Sequence, residues 1–300
     1  MRKTVTIVSM LFSFFVVQLF SAQVSCHCYG NGPYTMVFDA GMGNWSVFFK
    51  PLAEKLKTKV KVCLFDRYNY KSRKLPKYRD LKTMAAEFNS ELERNNITDS
   101  IILVGHSLGG LYVRMFHDLY PQKVSGMILL DAANPNLLDS IPALRENITK
   151  QTKQINKVIN LANWGLLRLG KKNIPTFGLP ENCLSEYYKV TTRKPYYLIY
   201  RLELASFDKI LLESKSLGKI VDKPLLVIAS NVGLNPPINS DSSTASKYSN
   251  TWVNLQKDLL TISTRSIYSE TNADHFFHVS NPDFVSLQVS NYLFQMFGFK

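Results

Sequence analysis

Short, continuously apolar runs alternate along this chain with longer stretches in which apolar residues recur every three or four positions. The runs cover Thr35 to Phe38, Val60 to Phe65, Ile101 to Val104, Gly126 to Leu130, Leu225 to Ala229 and Arg265 to Tyr268, and they read as strands. Between them the helical period predicts helices near Trp45 to Leu56, Asp80 to Arg94, Leu108 to Tyr120, Ser246 to Leu260 and Pro282 to Phe297. A run such as Ile101-Ile102-Leu103-Val104 has no polar face, which suits a strand covered on both sides. The alternation predicts an α/β fold, a mostly parallel central sheet with helices on both faces.

The alternation breaks once. From Pro135 to Val221 no strand signal appears, while apolar residues fall at helical spacing through Ile148, Ile155, Ile159 and Leu161, and again through Leu202, Leu204, Ile210 and Leu212. An all-helical insertion over 135–221 follows, dividing the body into a first part, 24–134, and a second, 222–300. The insertion holds Trp164, Tyr187, Tyr188, Tyr196, Tyr197 and Tyr200, which either form an aromatic inner face or pack the insertion onto the body.

Residues 1–23 read differently. Arg2 and Lys3 precede an apolar stretch from Val5 to Phe20, and Ser21-Ala22-Gln23 supplies small residues, the pattern of a secretory signal. The expectation is a secreted or periplasmic protein, with an uncleaved membrane anchor as the alternative. In an exported chain Cys26, Cys28, Cys63 and Cys183 allow one or two disulfides of undetermined pairing. Three sequons, at Asn44, Asn96 and Asn147, matter only in a eukaryotic secretory pathway.

Composition narrows the classes further. With 45% hydrophobic residues in 300 positions, the chain is an ordinary globular protein rather than a disordered or fibrous one. Four Cys are too few for a disulfide scaffold, and no C-x-x-C pair offers zinc spacing. The net charge of +13 falls by only two without Arg2 and Lys3. Its basic residues are spread evenly and no nucleic-acid motif accompanies them, so the balance suits a solvated surface or peripheral association with an anionic membrane surface. Oligomeric state is not readable.

The strongest local signal is Gly105-His106-Ser107-Leu108-Gly109-Gly110, placed after an apolar strand and before the helical Leu111-Tyr112-Val113-Arg114. Gly-x-Ser-x-Gly between strand and helix puts a serine on a sharp turn with its hydroxyl exposed at the carboxyl end of a sheet. The helix N-terminus behind it favours negative charge.

In these residues the chain resembles the α/β-hydrolase fold serine hydrolases, the esterase- and lipase-like members with a helical cap between the sixth and seventh strands. Val37-Phe38-Asp39-Ala40-Gly41-Met42-Gly43 is similar to the family's Ala-Gly-x-Gly segment, and Leu64-Phe65-Asp66-Arg67-Tyr68 to its Asp-Arg segment. The resemblance implies Ser107 as nucleophile and an oxyanion hole from the backbone N–H groups of Leu108 and Met42, with Ala40 replacing the His of many relatives. It implies a base seven residues before Pro282, which selects His275 and leaves His278 a supporting role at most. The acid departs from the commoner pattern, because no carboxylate follows Leu225 to Ala229 before Asp241. Asp131, at the tip of the preceding strand, is preferred, with Asp241 as the alternative. Asp66 and Arg67 read as structural, in a local ion pair or turn.

The implied activity is cleavage of carboxylic esters, on a small-molecule or lipid-like substrate, with no metal, no organic cofactor and no nucleic acid. Alternatives are a thioester, lipid ester or amide hydrolase of the same fold, or a non-catalytic binding protein on that scaffold.

Overall fold

The computed structural model describes residues 24–70, 72, 77–98, 100–233 and 241–299. The signal-like segment 1–23 lies outside them. Seven strands form one sheet: β1 Ser25–Tyr29, β2 Thr35–Asp39, β3 Lys61–Asp66, β4 Ile101–His106, β5 Val124–Leu130, β6 Leu225–Ser230 and β7 Ser266–Thr271. Their order is β1-β3-β2-β4-β5-β6-β7, and every pairing is parallel except β1 with β3. This is the doubly covered parallel sheet that the apolar runs predict. The sequence reading missed β1, whose Ser-Cys-His-Cys-Tyr is short, mixed in polarity and at the sheet edge.

The helices are α1 Lys50–Leu56, α2 Leu81–Arg94, α3 Gly109–Leu119, α4 Leu137–Ser140, α5 Ala143–Asn163, α6 Leu166–Leu169, α7 Glu181–Thr191, α8 Lys194–Ser214, α9 Ser242–Asp258, α10 Phe277–Ser280 and α11 Pro282–Phe297. Alternation along each strand sorts its side chains into two cores. Ile101, Leu103, Met127, Leu129, Leu225 and Val227 face the side covered by α2, α3 and α9. Ile102, Val104, Ile128, Leu130, Leu226 and Ile228 face α1 and α11. Both sides are covered, so each buried aliphatic stabilises the fold by about 1.5–3 kcal/mol, and the polar strand residues, such as Asp39, His106 and Ser230, fall near strand ends or in the edge strands β1 and β7.

Between β5 and β6 run only helices, α4 to α8, where the resemblance places an insertion between the family's sixth and seventh strands. Its aromatic residues divide. Tyr187 stacks on Trp45 of the body at 5.7 Å and Tyr196 meets the same ring edge-on, while Trp164 stands out in solvent rather than on an inner face. Among the described residues no helix is long and apolar enough to cross a membrane.

Register explains the one disulfide. Cys28 and Cys63 stand directly opposite across the antiparallel β1–β3 pair and are bonded, leaving Cys26 and Cys183 as buried free thiols. The bond ties the edge strand to the sheet across 35 residues of sequence, worth about 3–4 kcal/mol by loop closure. The double variant Cys28→Ser/Cys63→Ser is expected to lose that much stability in urea unfolding, and an unchanged midpoint would show that β1 contributes nothing to the cooperative unit.

Candidate active site

The carboxyl ends of β4, β5 and β7 lie along one edge of the sheet, and the chain places Ser107, Asp131 and His275 just beyond them. Ser107 adopts φ +52°, a left-handed conformation uncommon for a residue with a side chain. Glycine at 109 makes the turn possible: a Cβ there would stand 2.2 Å from the carbonyl oxygen of Asp39. The turn is locked on both sides, since Ser107 donates its N–H to Leu130 O at 3.1 Å and its own carbonyl accepts from Ala133 N at 2.8 Å. The loops after β4 and β5 therefore move as one.

Asp131, fully buried and itself at φ +45°, is the carboxylate brought to His275. Its Oδ2 lies 2.5 Å from His275 Nδ1. A carboxylate only accepts, so the proton facing it sits on Nδ1 and Nε2 is the nitrogen left to take one. The other oxygen, Oδ1, accepts from Trp252 Nε1 at 2.8 Å and from Ser230 N at 3.0 Å. Trp252 went unnoticed in the sequence. Trp252 and Gln256 share one face of α9, four residues apart, and Gln256 Nε2 donates to Ala132 O at 2.8 Å, so this face holds the whole loop after β5. Asp241 stands elsewhere, exposed at the N-terminus of α9, where its side chain accepts from Thr244 N at 2.7 Å and this bond holds its carboxyl below the usual range.

Three imidazoles crowd behind the site. The His106 ring lies 4.6 Å from that of His275 and 4.1 Å from that of His278, and His106 Nε2 donates to His275 O at 2.9 Å. This bond fixes the backbone of His275. His278 is fully buried against Phe49, and among the described residues neither of its ring nitrogens finds a partner. Burial, helped by His275, pushes it down to about 3, and burial with the same neighbours lowers His106.

Met42 and Leu108 line the same cavity as Ser107 and His275. Leu108 precedes the first turn of α3, where backbone N–H groups have no intrahelical acceptor. The loop carrying Met42 is held from beneath by Arg67, which is buried and ion-paired with Asp39 at the end of β2 and with Glu203 of α8 at 2.9 Å. Arg67 also donates to Ala40 O at 2.5 Å and Gly41 O at 2.8 Å. Glu203 Oε2 accepts from Gly43 N at 2.6 Å. Gly43 has φ +69°, and a Cβ there would meet the Tyr200 ring at 2.8 Å, so only glycine lets α8 approach this closely. Arg67 is structural as the sequence suggests, but its partners are distant in sequence. Asp66 instead accepts from Ser46 N and Oγ, at 2.7 and 3.1 Å.

The cavity measures about 300 Å³ and is walled mostly by apolar side chains, among them Leu137, Ile148, Phe177, Leu204 and Phe207. A larger cleft, about 610 Å³, opens at Lys50, Asp66 and Glu186 and includes neither Ser107 nor His275.

Comparison with known proteins bears on the fold. A family described as the α/β hydrolase fold matches residues 25–160. Salicylic acid-binding protein 2 of Nicotiana tabacum is 29% identical over 176 residues, which are 57% of this chain and 63% of that protein, so the match spans less than two thirds of the relative. An esterase from Thermogutta terrifontis, solved with malate bound, is similar with a TM-score of 0.63 and 17% identity, covering 91% of this chain and 93% of its own. A hydrolase from Oleispira antarctica is similar with a TM-score of 0.60 and 14% identity, covering 89% and 93%. The chain has the α/β-hydrolase fold.

Two outcomes follow for the groups around the site. Glu203→Ala takes away one of the two carboxylates that pair with Arg67 and leaves Gly43 N–H without its acceptor in a dry interior, and unfolding in urea is expected to show a loss of about 3–5 kcal/mol, with a smaller loss for Glu203→Gln. For His278, the neutral form is favoured on folding, so its contribution is present above pH 6.5 and is lost as pH falls toward 3. Stability is expected to decline between pH 6.5 and 4.5, above the range where most carboxylates titrate, and more shallowly in His278→Gln. Parallel pH curves for the two proteins would contradict this.

Proposed function

We propose that this protein is an exported serine hydrolase that cleaves carboxylic esters through an acyl-enzyme, with α4 to α8 as a cap over the site. The observation that carries the reading is the Asp131–His275 contact of 2.5 Å in the cavity where Ser107 sits on its left-handed turn. His275 Nε2 takes the hydroxyl proton as Ser107 Oγ attacks the ester carbonyl, and Asp131 stabilises the imidazolium that forms. The N–H groups of Leu108 and Met42 receive the oxyanion, each such donor lowering the barrier by about 3 kcal/mol. The same imidazolium then protonates the leaving alcohol. Water activated by His275 releases the acid and restores Ser107.

The apolar cavity, near the small end for ligand sites, suits a short acyl chain or a small aromatic ester. The Cys28–Cys63 disulfide and the signal-like residues 1–23 support an oxidising compartment outside the cytoplasm.

A fluorophosphonate probe is expected to label Ser107 in the wild type and to fail in His275→Ala. Ser107→Ala should lower turnover of a chromogenic ester by about 10⁶-fold with an unchanged circular dichroism spectrum. Asp131→Asn should cost about 10⁴-fold, because the imidazole loses its tautomer, while Asp241→Asn leaves turnover close to wild type. A loss confined to Asp241→Asn would assign the acid differently, and a folded protein that neither labels nor turns over esters would favour a binding role.

A further inference from the structure

The helical insertion has an outward corner that the cavity does not use. Where α5 ends, Gly165 turns the chain at φ +75° into α6, and no neighbouring atom lies within 4 Å of the place a Cβ on Gly165 would take. Four large apolar side chains face solvent around this turn: Trp164 at 70% exposure, Leu169 at 87%, Leu166 at 44% and Leu161 at 39%. No residue of α6 is buried. So much exposed apolar side chain in one short segment marks a contact surface rather than a solvated face.

Charge says which kind of contact. From Asn147 to Pro180 the sequence has no carboxylate, while Lys157, Arg168, Lys171 and Lys172 are all exposed. Two cations of α8 join them. Lys194 Nζ donates to Asn163 Oδ1 at 3.1 Å, beside Trp164, and Arg201 Nη1 donates to Asn156 Oδ1 at 3.0 Å. A tryptophan and leucines at a protruding tip, rimmed by long basic side chains, match the layered chemistry of a lipid interface. The indole and the aliphatic tips enter the acyl boundary, and the cations remain among the headgroups.

We propose that the α5–α6 corner docks the protein on anionic lipid bilayers, with Trp164, Leu166 and Leu169 as the inserting side chains. The surface stands independently of which bond the site cleaves. Further along the same segment, Phe177 is 41% exposed and lines the cavity, its ring 4.6 Å from that of Phe276, next to His275. The docked segment thus continues into the cavity wall.

The protein carries its own reporter. Of the three tryptophans, Trp45 and Trp252 are buried, so a change of tryptophan emission on lipid contact comes from Trp164. The full chain should be mixed with vesicles of pure phosphatidylcholine and of equimolar phosphatidylcholine and phosphatidylglycerol, and followed by co-sedimentation and emission. The expected result is binding at least about tenfold tighter to the anionic vesicles, with a blue shift, both lost in Trp164→Ser/Leu169→Ser. Arg168→Gln/Lys171→Gln/Lys172→Gln should remove the preference for anionic lipid. Circular dichroism and ester turnover without vesicles serve as folding controls, expected unchanged in all variants. Equal binding to both vesicle types would overturn the proposal, as would binding that survives in Trp164→Ser/Leu169→Ser, which would place the contact elsewhere, residues 1–23 included. Light scattering that shows a dimer abolished by that variant, with no emission change on vesicles, would instead assign the corner to a second copy of this chain.

Discussion

The interior position of one guanidinium sets the terms for the site. Arg67 sits in a dry interior between Asp39 and Glu203, and its two Nη groups also donate to the carbonyls of Ala40 and Gly41. A buried charge is tolerable only with partners placed this closely. Two carboxylates facing one cation leave an excess of negative charge, and burial pushes the Asp39 carboxyl up to about 6 against the pull of Arg67. The arrangement cannot loosen without stranding an ion, so the loop of residues 40–43 is held at a fixed height above the sheet. Glu203 belongs to α8 in the insertion, and its second oxygen accepts from Gly43. One ion cluster therefore joins the end of β2, the loop after β3 and the insertion. The loop of residues 40–43 and α8 are positioned by the same atoms.

Beside that cluster, the sheet does the remaining alignment. Parallel neighbours end at the same edge, so residues far apart in sequence arrive within a few ångströms of each other. Ser107 and Asp131 are additionally tied backbone to backbone through Leu130 and Ala133. His275 comes from a loop that His106 grips by its carbonyl. His106, which precedes Ser107, thus holds the backbone of His275, while a face of α9 holds Asp131 through Trp252. Asp131 and His275 are each oriented by a neighbour that is itself buried, which is the kind of narrow positioning that the proposed acyl transfer would require.

How much of this the sequence displayed depends on the range of each interaction. Fold class and the serine turn are local facts, carried by apolar runs, by helical periods and by Gly105 to Gly110, and these were legible. The choice between Asp131 and Asp241 is a question of distance to His275, which no spacing along the chain encodes. One local clue did exist: Asp241 followed three residues later by Thr244, at the head of a helical stretch, has the form of a helix N-cap, and that is the place the structure gives it. Glu203 had no such clue. It stands 136 residues from Arg67 on a helix whose period marks it as neither core nor surface. The edge strand β1 was hidden because its pattern is short and polar at His27, and its strength comes from pairing with β3 and from the Cys28–Cys63 bond.

The insertion emerges as an element with two unlike faces, and the sequence blurs them because aromatic residues occur on both. Inward, Tyr200 packs on Gly43 and Glu203 reaches the ion cluster, so this face is as constrained as the core. Outward, Trp164 and Leu169 stand in solvent with cations around them, and nothing in the described protein covers them. Burial alone separates the two sets, since composition does not. The inward face cannot tolerate change without moving the loop of residues 40–43, whereas the outward corner hangs from the ends of α5 and α6, away from Ser107 and His275. The proposed reaction and the proposed docking surface thus belong to different faces of a single helical element, and only the outward one is free to vary without disturbing the other.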